Sequence, residues 1–306
     1  MTSVAEAAAL VPQAFREHIS LLPAEGGPDG AAWAAELPRL LAGCLDDWGL
    51  APDEPARSGF TAVVLPVSRD GERLALKVVW PHEEAFGEPL ALRRWNGQGA
   101  VRLVAAELSR GALLLERLDA DRDLTKMWVD EACEVIGGLL ARLNVPALPQ
   151  LPALSQVAAK MSPRLDRAAE QLPRRMVARA KGLAGELASD PGCDGRVLHR
   201  DLHFENVLAA EREPWLTIDP KPLNGHPGFE LAPVLWNRAD ELGSGSSFRY
   251  LVRHRLELLS EAAGIDEDVA RHWTTVRLMW EAVYAAEAGD AERLTAMISL
   301  VKAVDS

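Results

Sequence analysis

With 306 residues, the chain is long enough for about two domains, and 48% hydrophobic residues suffice to fill their cores. Its net charge of −12, from 45 acidic and 33 basic residues, disfavours nucleic acid and anionic membranes as partners and would help to draw in a small cationic one. No apolar run approaches the roughly 20 residues that cross a bilayer, no secretory leader pattern opens the chain, and Cys44, Cys133 and Cys193 lack metal-ligand spacing. A cytoplasmic protein with buried or incidental thiols is the expectation.

Residues 1–30 hold Ala-rich and Gly/Pro-rich pieces and are expected on the surface. From 31 to 49, Trp33, Leu37, Leu40, Leu41, Leu45 and Trp48 recur at helical spacing, which predicts an amphipathic helix interrupted near Pro38. The pattern then changes. Thr61–Val67 and Leu74–Trp80 read as strands joined by a hairpin turn at Arg69-Asp-Gly-Glu72. Lys77 lies inside the second strand among apolar neighbours, where an ammonium must reach water or find an anion. Helix-like sequence over 83–95 offers two carboxylates one turn apart, Glu84 and Glu88, with Pro89 suited to a first turn. Two more strands, 101–107 and 112–118, flank Ser109-Arg-Gly111.

Beyond Asp119 the chain reads as mostly helical. Val129, Cys133, Ile136, Leu139, Leu140 and Leu143 form a buried stripe. After a Pro-rich connection at 146–152, residues 155–189 predict one or two basic amphipathic helices with a solvated face. Residues 221–227 read as a loop leading to a helix from Gly228, and further helices are expected over 246–263, 267–288 and 290–303. In the second of these, Trp273, Trp280 and Tyr284 form a stripe that suits either core or a pocket wall, and Glu281 suits either a cationic ligand or solvent.

The chemistry is concentrated between Val197 and Pro220. An apolar pair delivers His199-Arg200-Asp201, Asn206 follows five residues after Asp201, and two short apolar runs lead to Asp219. This is the pattern of a kinase catalytic loop followed by a hairpin ending in a metal-binding carboxylate. Phosphoryl transfer requires positioning and charge neutralisation more than covalent work from the protein. Asp201 is therefore the candidate to accept or orient the proton of an attacking hydroxyl, and Asn206 and Asp219 are candidates to bind Mg²⁺, a hard cation that takes oxygen ligands. Lys77 would then face the nucleotide phosphates.

The segments His199-Arg-Asp-Leu-His-Phe-Glu-Asn-Val-Leu208, Ile218-Asp-Pro-Lys-Pro222 and Gly228-Phe-Glu-Leu-Ala-Pro-Val-Leu-Trp-Asn-Arg238 resemble the aminoglycoside/hydroxyurea antibiotic resistance kinase family. The resemblance implies an α+β, bilobal, protein-kinase-like fold. A small antiparallel-sheet lobe would span 1–118, and a larger, mostly helical lobe 119–306. It also implies ATP and Mg²⁺ as cofactors, Glu88 as the partner of Lys77, and Ser58 and Gly59 as a phosphate-facing turn in place of a glycine-rich loop. Adenine would bond to the backbone near Glu116 to Leu118. The acceptor would be a hydroxyl of a small cationic molecule, with streptomycin first, and hydroxyurea or an endogenous sugar or amino alcohol as alternatives. Glu230, at a position where relatives usually have Asp, and, separately, Glu281 are the candidate acceptor contacts. A nucleotide-binding module without catalysis is the remaining alternative, and oligomeric state has no signature in the sequence.

Overall fold

Residues 2–305 are described by a computed structural model, in which the chain divides into two units, the first ending at Asp119 and the second beginning at Ala120. The first unit opens with helices α1 (Val4–Leu10), α2 (Gln13–Ile19) and α3 (Gly30–Asp47). The first two are not surface decoration, as the composition of residues 1–30 suggested. Ala7, Val11, Phe15 and Ile19 are buried in one core cluster with Trp33, Leu37, Leu41 and Leu45 of α3. Small residues make this contact possible: a side chain at Gly30 would strike the Ile19 carbonyl oxygen at 1.7 Å. Nor does Pro38 interrupt α3, which runs through it. One missing backbone donor is outweighed by the buried stripe on either side of it.

The sheet of this unit contains β1 (Ala51–Pro52), β2 (Arg57–Ser58), β3 (Ala62–Arg69), β4 (Glu72–Val79), β5 (Leu103–Glu107) and β6 (Ala112–Glu116), with helix α4 (Glu88–Trp95) between β4 and β5. Its order is β1-β3-β4-β6-β5, with β2 also on β3, and every pairing is antiparallel. The β3–β4 hairpin turns through Asp70 and Gly71, both at positive φ (51° and 83°), as a two-residue turn matching strand twist requires. Helix α4 starts at Glu88 with Pro89 in its first turn, and residues 83–87 form a separate 3₁₀ turn. The loss of a donor at Pro89 is harmless there, because first-turn N–H groups have no intrahelical partner.

The second unit comprises all but the first residue of β7 (Asp119–Asp123), then α5 (Val129–Leu143), α6 (Leu154–Ala168), α7 (Arg174–Ala188), β8 (Arg196–Leu198), β9 (Val207–Ala209), β10 (Trp215–Thr217), β11 (Leu223–Gly225), α8 (Ala232–Trp236), α9 (Gly245–Ala263), α10 (Glu267–Ala288) and α11 (Ala291–Asp305). The basic stretch after residue 154 is two helices, broken before Pro173. Two strands escape the helical pattern expected here. β7 joins β9 and β10 in a three-stranded sheet, and β11, expected as loop, pairs with β8. Both are too short for a legible alternation and depend on remote partners. The turn at Pro227–Glu230 is 3₁₀, and helix begins only at Ala232.

Helix α10 is buried on nearly all sides, and Trp273 and Trp280 belong to the core rather than to a pocket wall. Both pack on Phe229, with ring centroids 5.7 and 5.4 Å apart. Tyr284 is half-buried beneath the Arg164 guanidinium. The three cysteines are buried and free, and burial pushes the Cys133 and Cys193 thiols up to about 12, which keeps them protonated and inert. Among the described residues, no helix is long and apolar enough to cross a membrane.

Candidate active site

The loop after β8 is held by an alternation of side chains. Leu202 and Phe204 are fully buried, whereas Asp201, His203 and Glu205 are turned the other way and keep access to solvent. Phe204 lies under the guanidinium of Arg238, 4.8 Å from its ring centroid, and Arg238 in turn donates to the carbonyls of Leu124 and Met127 at 3.1 and 3.0 Å. His199 sits beneath the loop and donates from Nε2 to the Ile218 carbonyl at 2.9 Å. Burial lowers its pKa to about 4, so it is a neutral scaffold at physiological pH rather than a proton carrier. His203 Nδ1 accepts from the Glu205 N–H at 3.3 Å, capping the short turn that presents Asn206.

Asn206 spends its amide nitrogen on the Asp201 carbonyl at 2.7 Å, which turns its side-chain oxygen the other way. Its own carbonyl accepts from the Ile218 N–H at 2.9 Å and so ties the loop to the end of the β9–β10 hairpin, next to Asp219. Asp219 adopts a positive φ of 55°, and Arg200, beside Asp201, one of 69°. For residues with side chains these are strained conformations, of the kind held by surrounding structure at functional positions. The resulting donor set of one amide oxygen and a carboxylate suits a hard cation such as Mg²⁺, which keeps water and phosphate oxygens for its remaining sites.

One residue had no role in the sequence reading. Lys221 directs its ammonium to Asp201 Oδ2 at 2.5 Å and to Asp219 Oδ2 at 3.4 Å. In the sequence, only its place two residues after Asp219 hinted at this.

Both candidate acceptor contacts have partners within the protein. Glu230 is buried, and its carboxylate accepts the backbone N–H groups of His199 at 2.9 Å and Arg200 at 2.7 Å, so it braces the loop after β8. Burial outweighs these two bonds and raises its pKa to about 7. Glu281 is likewise buried and engaged, with Arg277 at 2.9 Å and Arg293 at 2.8 Å. A carboxylate already paired with two guanidiniums has little left for a cationic ligand.

In the first unit, Lys77 occupies the central strand β4, opposite Val64 on one side and Leu113 on the other. Its ammonium contacts both oxygens of Glu88, at 2.6 and 2.8 Å, and both side chains are almost wholly buried. Glu88 thus pairs with Lys77 through both of its carboxylate oxygens. Ser58 closes β2, and the Gly59 N–H donates to the Ala62 carbonyl at 3.0 Å, forming an exposed turn. Glu116 does not keep its backbone N–H for a ligand. It donates that group to the Arg102 carbonyl at 3.0 Å, while its side chain takes the Arg102 N–H at 2.6 Å. Leu118 lies just past the end of β6, half-buried.

The model of the aminoglycoside/hydroxyurea antibiotic resistance kinase family matches residues 47–289. A streptomycin 6-kinase of Streptomyces griseus is 42% identical over 305 residues, covering 96% of each chain. A hydroxyurea phosphotransferase of Kitasatospora aureofaciens is 44% identical over 276 residues, covering 87% of this chain and 78% of that protein. Among solved structures, a choline/ethanolamine kinase family protein from Mesorhizobium loti superposes with a TM-score of 0.57 at 14% identity, over 94% of this chain and 92% of its own. The fold is thus that of the protein-kinase-like small-molecule kinases.

Proposed function

This chain belongs to the aminoglycoside/hydroxyurea antibiotic resistance kinase family, and from that premise we propose that it transfers the γ-phosphoryl group of ATP to a hydroxyl of a small cationic antibiotic, with streptomycin as the first candidate. The observation that supports this most is the second unit's loop and hairpin, in which Asp201, Asn206 and Asp219 are tied together by the Asn206–Asp201 and Ile218–Asn206 hydrogen bonds. In the transfer, the acceptor oxygen forms a bond to the γ-phosphorus while the bond from that phosphorus to the β,γ-bridging oxygen breaks. The electron pair leaves with ADP, and the hydroxyl proton passes to the Asp201 carboxylate. Asp201 also orients the hydroxyl, which is the larger part of such catalysis.

Asn206 and Asp219 would hold Mg²⁺, which when bound neutralises charge on the phosphates. Lys77, steadied by Glu88, pairs with phosphate oxygens of the nucleotide, and the exposed turn at Ser58 and Gly59 would face them. Neither Glu230 nor Glu281 contributes to acceptor recognition in this reading, so the cationic groups of the acceptor must find other carboxylates. ATP as the donor makes the cytoplasm the setting.

The test is ADP release from ATP and Mg²⁺ over a panel of streptomycin, other aminoglycosides, hydroxyurea and simple sugars, with product mass confirming the added phosphate. Turnover with streptomycin is the expected result. The relative of comparable identity that is named a hydroxyurea phosphotransferase supports a second reading, in which hydroxyurea alone is turned over. Nucleotide binding without turnover on any acceptor would refute both.

A further inference from the structure

Lys221 lies between two prolines, Pro220 and Pro222. Proline has no N–H, so Lys221 carries the only backbone donor of the triplet, and that donor goes to the His199 carbonyl at 3.0 Å. Two residues later Leu223 pairs with Leu198 in the β8–β11 ladder, immediately ahead of His199-Arg200-Asp201. The backbone of Lys221 is therefore fixed against the backbone that presents Asp201. Its side chain is three-quarters buried, as is that of Asp201, and its ammonium meets Asp201 Oδ2 at 2.5 Å.

An aspartate's terminal torsion is broad and roughly two-fold, so backbone and first rotamer alone do not decide how its two oxygens are aimed. A charge-assisted hydrogen bond to one oxygen removes that freedom. The ammonium also stands 3.4 Å from Asp219 Oδ2 and so offsets the repulsion between the two carboxylates. We propose that Lys221 is a positioning residue for phosphoryl transfer, holding Oδ2 of Asp201 so that Oδ1 faces the acceptor hydroxyl. This rests on the phosphotransferase reading above, and it adds a residue whose action is exerted through Asp201.

The test uses the full chain as wild type, Lys221→Met, Lys221→Arg, Asp201→Asn and the double variant Asp201→Asn/Lys221→Met. Lys221→Met is expected to lower kcat about 100-fold, the scale of a small misplacement of a reacting group. KM for streptomycin and Kd for Mg·ADP should stay within about threefold of wild type, since neither binding step needs the aim of Asp201. Lys221→Arg should recover at least about tenfold of the loss, because a guanidinium can hold the same oxygen. In the Asp201→Asn background, Lys221→Met should cost nothing further. A readout independent of turnover is the side-chain ammonium NMR signal of nucleotide-free, ¹⁵N-lysine-labelled protein. The resonance missing in Lys221→Arg should shift in Asp201→Asn.

Unchanged kcat in Lys221→Met would overturn the proposal, as would a loss confined to Mg·ADP affinity. An equal loss with and without Asp201, or an ammonium signal indifferent to Asp201→Asn, would also overturn it. If Lys221→Met does not fold, the arginine variant and the NMR shift decide alone. A wild type that turns over no acceptor overturns the phosphotransferase reading and this role together, whereas an active wild type with an indifferent Met variant overturns the role alone.

Discussion

Asp201 is proposed to orient and deprotonate the acceptor rather than to hold the nucleotide. Asp201→Ala should therefore lower kcat by about 10²–10⁴, the usual worth of a positioned general base, while Mg·ADP affinity measured by calorimetry stays near wild type. Turnover equal to wild type would remove Asp201 from the chemistry. Glu230 makes a prediction about pH. Its pKa lies near 7 in the folded protein against an ordinary 4.5, so the native state binds more protons than the unfolded one between those values. Stability is thus greatest below pH 4.5 as far as this group is concerned, declines as pH rises toward about 7, and is level above it. Activity runs the opposite way, because only the ionised carboxylate accepts fully from both the His199 and Arg200 N–H groups. kcat should rise through about pH 7, and Glu230→Gln should flatten that rise. The glutamine also turns an amide donor toward one backbone N–H, which should cost about 1–3 kcal/mol in urea denaturation. A Gln variant with the wild-type pH profile would disprove the assignment.

At the scale of elements, the pair that joins β4 to α4 is the most exposed to test. Lys77 and Glu88 are both buried, and removing one partner leaves the other charged in a poorly solvated place. Glu88→Ala should cost about 3–5 kcal/mol, whereas Lys77→Met with Glu88→Leu together should cost less, since neither member of this pair is left without the other. Urea midpoints of the three proteins measure this, and equal losses in the single and double variants would contradict it. Elements also show where patterns in the chain mislead. Helix α3 carries its apolar stripe straight through Pro38, because a lost hydrogen bond is a small term beside several buried side chains. The N-terminal helices α1 and α2 were hidden by their shortness and by flanking Gly and Pro, yet Phe15 and Ile19 sit in the core. Conversely, the β3–β4 hairpin was legible because its alternating burial and its Asp70-Gly71 turn are both local signals.

At the scale of the whole molecule, each unit has a core cluster of its own, one built on the antiparallel sheet and α1–α3 and the other on α5–α11. Nucleotide that binds only the native state should stabilise the chain by mass action. Mg·ADP at a hundred times its Kd should add about 2.7 kcal/mol if it binds only the native state. In thermal denaturation, Asn206→Ala or Asp219→Ala should remove the part of this gain that depends on Mg²⁺. Retention of the full Mg²⁺-dependent gain in both variants would exclude them as its ligands.

What the chain alone determined was the class of chemistry. Asp201, Asn206 and Asp219 fall within one short stretch, because a loop and a hairpin suffice to present them, and such spacing survives in a linear string. Lys77 was legible as a charge amid apolar neighbours for the same local reason. The tertiary structure alone decided who holds whom. It paired Glu88 with Lys77, turned Glu230 onto the backbone of His199 and Arg200, paired Glu281 with two arginines, and brought Lys221 to Asp201. Periodicity and turn residues report the path of the backbone over a few residues. The choice of partner by a buried charge depends on which backbones lie side by side, and Glu230 and His199 are 31 residues apart in sequence.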